Sequence, residues 1–109
     1  MQNEIRKVYI AGCGGMLGDA FYKIFSKKYL IRCSDKITKE SWLHKLDFTN
    51  FDQYEAEVVN FNTDLLIHLG AMTDLEECES NPDKTYLNNT KSVEKAVRIS
   101  NKLKIPLIF

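Results

Sequence analysis

Three glycines follow an apolar run near the start of the chain and have the spacing of a phosphate-binding loop. Gly12, Gly15 and Gly18 form the pattern G-x-x-G-x-x-G directly after the strand-like residues 7–11. Gly12 can form the tight turn that leaves the strand, Gly15 lets a pyrophosphate approach the backbone, and Gly18 lets a helix pack on the sheet. The N-terminus of that helix presents free N–H groups and a positive dipole to an anion. The pattern predicts a dinucleotide-binding loop, with an ordinary glycine turn as the alternative.

Asp35 lies at the sequence position where a dinucleotide site requires a carboxylate. The second apolar segment, residues 29–33, leads to Asp35, about 20 residues after the first glycine. An acid at that distance binds the ribose hydroxyls of the adenosine. Its charge repels a 2′-phosphate, so Asp35 favours NADH over NADPH, and the neighbouring Lys36 weakens that preference. The alternative is a solvated surface acid.

Strand-like and helix-like segments alternate along the chain, which is typical of βαβ units. Leu17, Phe21, Ile24 and Phe25 recur at helical spacing and predict one apolar stripe in the core. The later predicted elements are a strand at 42–46, a helix capped by Thr49 or Asn50 and closed by 62–64, a strand at 65–69, a helix from Asn81-Pro82 to about residue 102, and a strand at 105–109.

The alternation predicts an α/β fold, a Rossmann-type doubly wound parallel sheet. We expect residues 1–109 to be the N-terminal part of an NAD(P)-binding Rossmann domain that stops after the fifth strand and lacks the substrate-binding part. The strand at 65–69 ends in the small pair Gly70-Ala71, where a flat ligand can lie close to the backbone. Ligands of open α/β sheets bind at such carboxyl ends of strands.

The sequence predicts no metal site. His68 lies in an apolar strand without a second histidine nearby, so we interpret it as a core or strand-end residue with no chemical role. The acids Glu76, Glu77 and Glu79 are interpreted as solvated, because neighbouring surface acids seldom converge on one cation.

Composition excludes several classes of partner. The chain of 109 residues has 15 basic and 15 acidic side chains and no basic stripe interleaved with aromatics, so neither nucleic acid nor a membrane surface is expected as a partner. No apolar run approaches the roughly 20 residues of a membrane span, and the polar start is unlike a secretory signal. Cys13, Cys33 and Cys78 form no C-x-x-C pair and fit a reducing compartment. We expect a cytoplasmic location.

The later part of the chain contains motifs that are more specific than the glycine loop and Asp35. They are Asp47-Phe48, residues 69–71, the run 70–79, Pro82 and Leu87-Asn88. With these motifs the chain resembles the extended short-chain dehydrogenase/reductase superfamily. Within that superfamily, the run 70–79 and the residues after it resemble the dTDP-4-dehydrorhamnose reductase branch. The resemblance covers essentially all 109 residues.

The resemblance implies a nicotinamide dinucleotide, NAD or NADP, bound along the carboxyl edge of the sheet. The implied contacts are Gly12, Gly15, Met16, Leu17 and Gly18 at the pyrophosphate, Asp35 at the adenosine ribose, Asp47 and Phe48 at the adenine, Leu69, Gly70, Ala71 and Thr73 along the middle of the cofactor and the nicotinamide ribose, and Asn88 as the helix asparagine that supports the active site. For Asn88 the alternative is an ordinary polar helix residue. Residue 91 is Lys where the family often has Gly, so local packing is expected to differ there.

The resemblance assigns no catalytic residue to this chain. The family's catalytic groups are a Ser or Thr after the fifth strand and a Tyr-x-x-x-Lys pair on the next helix, and Tyr86 lacks a lysine at that spacing. We therefore expect the 109 residues to be inactive alone. The complete protein is expected to be an NAD(P)-dependent reductase of a dTDP-4-keto-6-deoxysugar, with this nucleotide sugar as its substrate. The alternatives are a nucleotide-sugar epimerase or dehydratase and a non-catalytic regulatory subunit, and a homodimer is compatible with the sequence.

Overall fold

The structure is a parallel sheet with helices on both faces. The computed structural model describes residues 4–12, 16–35, 43–46, 50–69 and 90–109. The elements along the chain are β1 (Lys7–Ala11), α1 (Met16–Phe25), β2 (Leu30–Asp35), β3 (Leu43–Lys45), α2 (Phe51–Asn60), β4 (Leu65–His68), α3 (Ser92–Leu103) and β5 (Leu107–Ile108).

β1 lies in the middle of the sheet, whose order is β3-β2-β1-β4-β5 with every neighbouring pair parallel. The chain moves outward on one side through β2 and β3, then passes β1 to reach β4 and β5. Because crossovers between parallel strands are right-handed, this reversal puts α1 on one face and both α2 and α3 on the other. The predicted Rossmann-type α/β fold is confirmed.

Side chains of β1 alternate between two cores. Tyr9 and Ala11 belong to the cluster under α2 and α3, whereas Val8 and Ile10 belong to the cluster under α1. All four are 0–2% exposed. A strand buried on both faces needs apolar residues at every position, which explains the uninterrupted apolar run in the sequence.

Some details differ from the predicted elements. β3 covers Leu43–Lys45 of the strand predicted at 42–46, whose residue 42 lies outside the described residues, and β5 covers only Leu107–Ile108 of the strand predicted at 105–109. Ile24, predicted to lie in the core stripe of α1, is 65% exposed. Among the described side chains of α1, which do not include Leu17, Phe21 and Tyr22 pack against the core. Ile24 lies roughly 100° around the helix axis from their mean direction.

Short polar contacts fix the ends of the elements. Asn50 caps α2, as predicted, with its Oδ1 accepting the Gln53 N–H at 3.3 Å. Asp64 Oδ2, just before β4, accepts the backbone N–H groups of Arg6 and Lys7 at 3.0 and 2.9 Å. This carboxylate joins the start of β4 to the start of β1.

The described part of the predicted helix at 82–102 begins with a π-helical turn at residues 90–91 and continues as α3. Lys91 is exposed and has the ordinary helical angles φ −68° and ψ −35°. The backbone at this position therefore needs no glycine. α3 ends at Leu103, and the next residue, Lys104, is left-handed with φ 57° and donates its N–H back to the last turn.

Glu55 links α2 to α3 at the surface. Its carboxylate accepts hydrogen bonds from Lys102 Nζ at 3.0 Å and from Lys95 Nζ at 3.2 Å. These two ammonium groups, Lys102 foremost, lower the pKa of Glu55 below its ordinary value of 4.5. The carboxylate is 27% exposed, so water and salt weaken both pairs.

Replacing Glu55 with Gln removes this link and should lower the free energy of unfolding at neutral pH by roughly 0.5 kcal/mol. The folded-state pKa of Glu55 lies below 4.5, so the stabilisation is present above that pH and is lost as the pH falls through the folded-state value. Urea unfolding at neutral and acid pH measures the difference between the two proteins.

Glu57→Gln is the matched control, because the structure gives no ion pair to the Glu57 side chain among the described residues. It should leave the free energy of unfolding nearly unchanged. A Glu55→Gln effect that stays undiminished in acid would contradict the assignment to the carboxylate charge.

Candidate functional site

β1 ends in a turn that requires glycine. Gly12 has φ 89°, in the region that side chains with a Cβ avoid. Its N–H donates to the carbonyl of Ser34 at 2.7 Å, so the chain turns while still bonded to β2. This is the tight turn predicted for the first glycine.

The carboxyl ends of three adjacent strands carry one row of residues. The row is Asp35 at the end of β2, Gly12 after β1 and Leu69 after β4. β1 is paired with β2 and with β4 as far as Ala11, and Gly12 is the next residue. The Leu69 N–H donates to the Ala11 carbonyl at 2.8 Å, which continues the β1–β4 pairing by one more bond. The structure therefore brings together three residues of the predicted cofactor site, and we call this row, with the N-terminus of α1, the carboxyl edge.

α1 begins at Met16, shortly after Gly12, so its N-terminal end lies at the carboxyl edge. The N–H groups of the first turn, which contains Met16, Leu17 and Gly18, have no partners within the helix and carry its positive dipole end. Asp19 pairs with Lys23 at 3.0 Å, which offsets its negative charge near this end. The arrangement can hold an anion between β1 and α1.

Asp35 provides the carboxylate of the carboxyl edge. It ends β2, is half-buried, and its backbone carbonyl accepts the Leu46 N–H at 2.9 Å. The backbone of this residue is thus fixed between β1 and β3. A carboxylate beside the glycine turn can accept hydrogen bonds from hydroxyl groups of a ligand that lies over Gly12.

The other residues predicted to contact a cofactor lie outside the described residues; they are Gly15, Asp47, Phe48, Gly70, Ala71, Thr73 and Asn88. The same holds for Cys13, Cys78 and the acids Glu76, Glu77 and Glu79. Within the described ranges, no group of three or more His, Cys, Asp or Glu side chains could hold a metal ion. Within the same ranges, no helix has the length and apolar character of a membrane span.

A buried hydrogen-bonded network lies directly below the carboxyl edge. His68, the last residue of β4, is 3% exposed, and Tyr54 of α2 and Ser92 of α3 are fully buried. The Tyr54 hydroxyl lies 2.7 Å from His68 Nδ1, and Ser92 Oγ lies 3.2 Å from His68 Nε2. The Tyr54 and His68 rings stack with centroids 5.6 Å apart. The network connects β4 to both helices on its face of the sheet.

The protonation state of Tyr54 determines which groups of the network donate hydrogen bonds and which accept them. Burial, with a smaller contribution from Tyr9, raises the pKa of Tyr54 far above its ordinary value, so the phenol keeps its proton. When the phenol donates to Nδ1, a neutral imidazole carries its proton on Nε2 and donates to Ser92 Oγ. Both ring nitrogens are then satisfied without a charge in the core.

The interpretation of His68 as a core residue is confirmed, but its hydrogen bonds were not predicted. Tyr54 was expected to face the core from the spacing of Phe51, Tyr54 and Val58. No pattern in the sequence connects Tyr54 with His68 or with Ser92, because the three belong to different elements. A polar residue at the end of an apolar strand was the available signal that a partner was needed.

Comparison with known proteins identifies relatives of the chain. A family model described as the RmlD substrate binding domain matches residues 6–109. Among curated proteins, the probable low-salt glycan biosynthesis reductase Agl14 of Haloferax volcanii is 28% identical in an alignment over 87 residues that covers 75% of this chain and 29% of that protein.

Solved structures with a similar fold include two enzymes. A hypothetical dTDP-4-dehydrorhamnose reductase from Sulfolobus tokodaii is 25% identical with a TM-score of 0.80, over 93% of this chain and 37% of that one. An L-threonine dehydrogenase from Clostridium difficile is 19% identical with a TM-score of 0.86, over 96% of this chain and 36% of that one. The chain thus spans roughly a third of the length of these relatives.

Replacing Tyr54 with Phe should lower the free energy of unfolding by about 1–3 kcal/mol, because it leaves His68 Nδ1 buried without its hydroxyl partner. Urea unfolding at neutral pH measures the loss. Tyr29→Phe is the matched control, since Tyr29 is half-buried and the structure gives its hydroxyl no hydrogen bond within the described residues. Equal losses in the two variants would show that the network adds nothing beyond ordinary packing.

Proposed function

The chain belongs to the RmlD substrate binding domain family, and from this membership we propose that the complete protein is an NAD(P)-dependent oxidoreductase that reduces the keto group of a dTDP-4-keto-6-deoxysugar. The likeness to the Sulfolobus tokodaii and Haloferax volcanii reductases supports this reaction class. The 109 residues are proposed to be the N-terminal part of the cofactor-binding Rossmann domain.

The observation that carries the proposal is the carboxyl edge itself. Gly12 turns with φ 89°, Asp35 ends β2, Leu69 follows β4, and the N-terminus of α1 faces the same edge. A dinucleotide needs these features together: a close backbone approach and a positive dipole for its pyrophosphate, and a carboxylate for its ribose.

Each part of the edge then has a separate role in binding. The first turn of α1 stabilises the pyrophosphate charge, Gly12 lets the phosphates approach the backbone, and Asp35 accepts from the adenosine ribose hydroxyls. The half-buried Leu69 excludes water from the middle of the cofactor. Contacts from the other predicted residues complete the proposed site: Gly15, Met16, Leu17, Gly18, Asp47, Phe48, Gly70, Ala71, Thr73 and Asn88.

A nicotinamide cofactor held by Gly12, Asp35 and the first turn of α1 would supply the hydride chemistry that reduction of a keto group needs. The residues of this chain hold and orient the cofactor, and none of them is assigned to proton transfer. The network of Tyr54, His68 and Ser92 stays in the core and supports β4 below the edge. We propose a nucleotide sugar as the substrate. We also propose a homodimer in the cytoplasm, and we propose no nucleic acid as a partner.

An assay of the complete protein tests the reaction class. With NADH or NADPH, dTDP-4-dehydrorhamnose should oxidise the cofactor, whereas UDP-glucose and L-threonine should not turn over in the matching epimerase and dehydrogenase assays. Turnover of UDP-glucose alone would identify an epimerase instead. Binding of the cofactor without turnover of any of the three substrates would favour the regulatory-subunit alternative.

Asp35 should determine the preference between the two cofactors. Asp35→Ser removes the charge that repels a 2′-phosphate, so the ratio of NADPH to NADH affinity should rise about tenfold. Fluorescence titration of the complete protein with each cofactor measures the ratio. Asp52→Ser, the same change at an exposed position of α2, is the control and should leave it unchanged. An unchanged ratio in the Asp35 variant would remove this residue from the ribose site.

A further inference from the structure

A groove between α2 and α3 lies on the face of the sheet opposite α1. Its volume is ≈ 220 Å³, and its lining residues are Phe51, Lys91, Glu94, Lys95 and Arg98. The last four have the spacing i, i+3, i+4 and i+7, so they form one stripe along the side of α3 that faces α2. We call this feature the α2–α3 groove.

The groove carries an excess of positive charge. Its lining has three cations and one anion, a net charge of +2 in a chain whose formal net charge is zero. Lys91 pairs with Glu94 at 3.4 Å, and Lys95 pairs with Glu55. Arg98 makes no ion pair with any residue that the structure describes. Among the described residues, the lining charge without an ion pair is therefore a planar guanidinium, a group that binds carboxylates and phosphates through two parallel hydrogen bonds.

An aromatic ring lies at the other side of the groove. Phe51, in the first turn of α2, is half-buried and offers its exposed part to the groove. A second ring can pack against it in an offset or edge-to-face arrangement. The volume is below the roughly 300 Å³ at which pockets for drug-sized ligands begin. The space suits one ring with one anionic group rather than a complete dinucleotide.

We propose that the α2–α3 groove binds a small aromatic anion, with its ring against Phe51 and its carboxylate or phosphate at Arg98 and the two lysines. The positive charge of the lining attracts the anionic group of the ligand. The contact with Phe51 makes the groove bind an aromatic anion in preference to an inorganic one. None of the lining residues is among those of the proposed cofactor site, so we propose the groove as a separate site.

Isothermal titration of the complete protein with phenyl phosphate, benzoate and inorganic phosphate tests the proposal. Phenyl phosphate should bind more tightly than inorganic phosphate because of the ring, and its affinity should fall with added salt. The comparison with benzoate shows which anionic group the groove prefers. Each titration is repeated with NADH present, and binding in the groove should not compete with the cofactor.

Two variants of the lining should change the affinity in opposite directions. Arg98→Gln should weaken phenyl phosphate binding about tenfold, because it removes the guanidinium. Glu94→Gln should strengthen it roughly threefold, because it removes the anion of the lining. Arg6→Gln is the matched control: it makes the same change of charge at a side chain that is 76% exposed and pairs with Glu4, outside the groove.

Three results would overturn the proposal. Equal weakening by Arg98→Gln and Arg6→Gln would mean that overall charge, and not the groove, attracts the anion. Competition by NADH would place phenyl phosphate at the carboxyl edge. Binding of a glutamate-rich peptide without binding of phenyl phosphate would make the groove a protein-docking surface instead.

Discussion

β1 is hydrogen-bonded on both sides and buried on both faces, and the other parts of the sheet are arranged around it. Its peptide groups pair with β2 and β4, and its side chains fill two separate cores. A shift of this strand by one residue would unpair two neighbours and exchange both sets of core side chains. The end of β1 is therefore fixed, and Gly12, Asp35 and Leu69 are held in one row by the packing of the sheet rather than by contacts between loops.

Features that depend on local sequence could be predicted. β1 and β4 contain the continuous apolar runs 8–11 and 65–67, so both strands follow from pattern alone. The turn at Gly12 could be predicted because the residue type itself meets the need for positive φ. Asp35 could be assigned to the same edge as Gly12 because one helix and one strand account for the sequence between them.

Features that depend on how distant elements dock could not be predicted. Helical spacing groups Ile24 with the core residues of α1, but it does not determine how the helix rotates against the sheet, and that rotation leaves Ile24 exposed. The partners of His68 likewise come from α2 and α3, which approach β4 only in the folded chain. A pattern in sequence indicates that a residue is buried, whereas the hydrogen bonds that permit its burial are determined by tertiary structure.

α2 and α3 are held together by two kinds of contact that respond differently to the solvent. Next to β4, the hydrogen bonds of His68 are buried and unscreened. At the surface, Glu55 bridges Lys95 and Lys102, and salt or acid weakens this link. The buried bonds join both helices to β4, so loss of the surface pairs should change the outer part of the helix pair first.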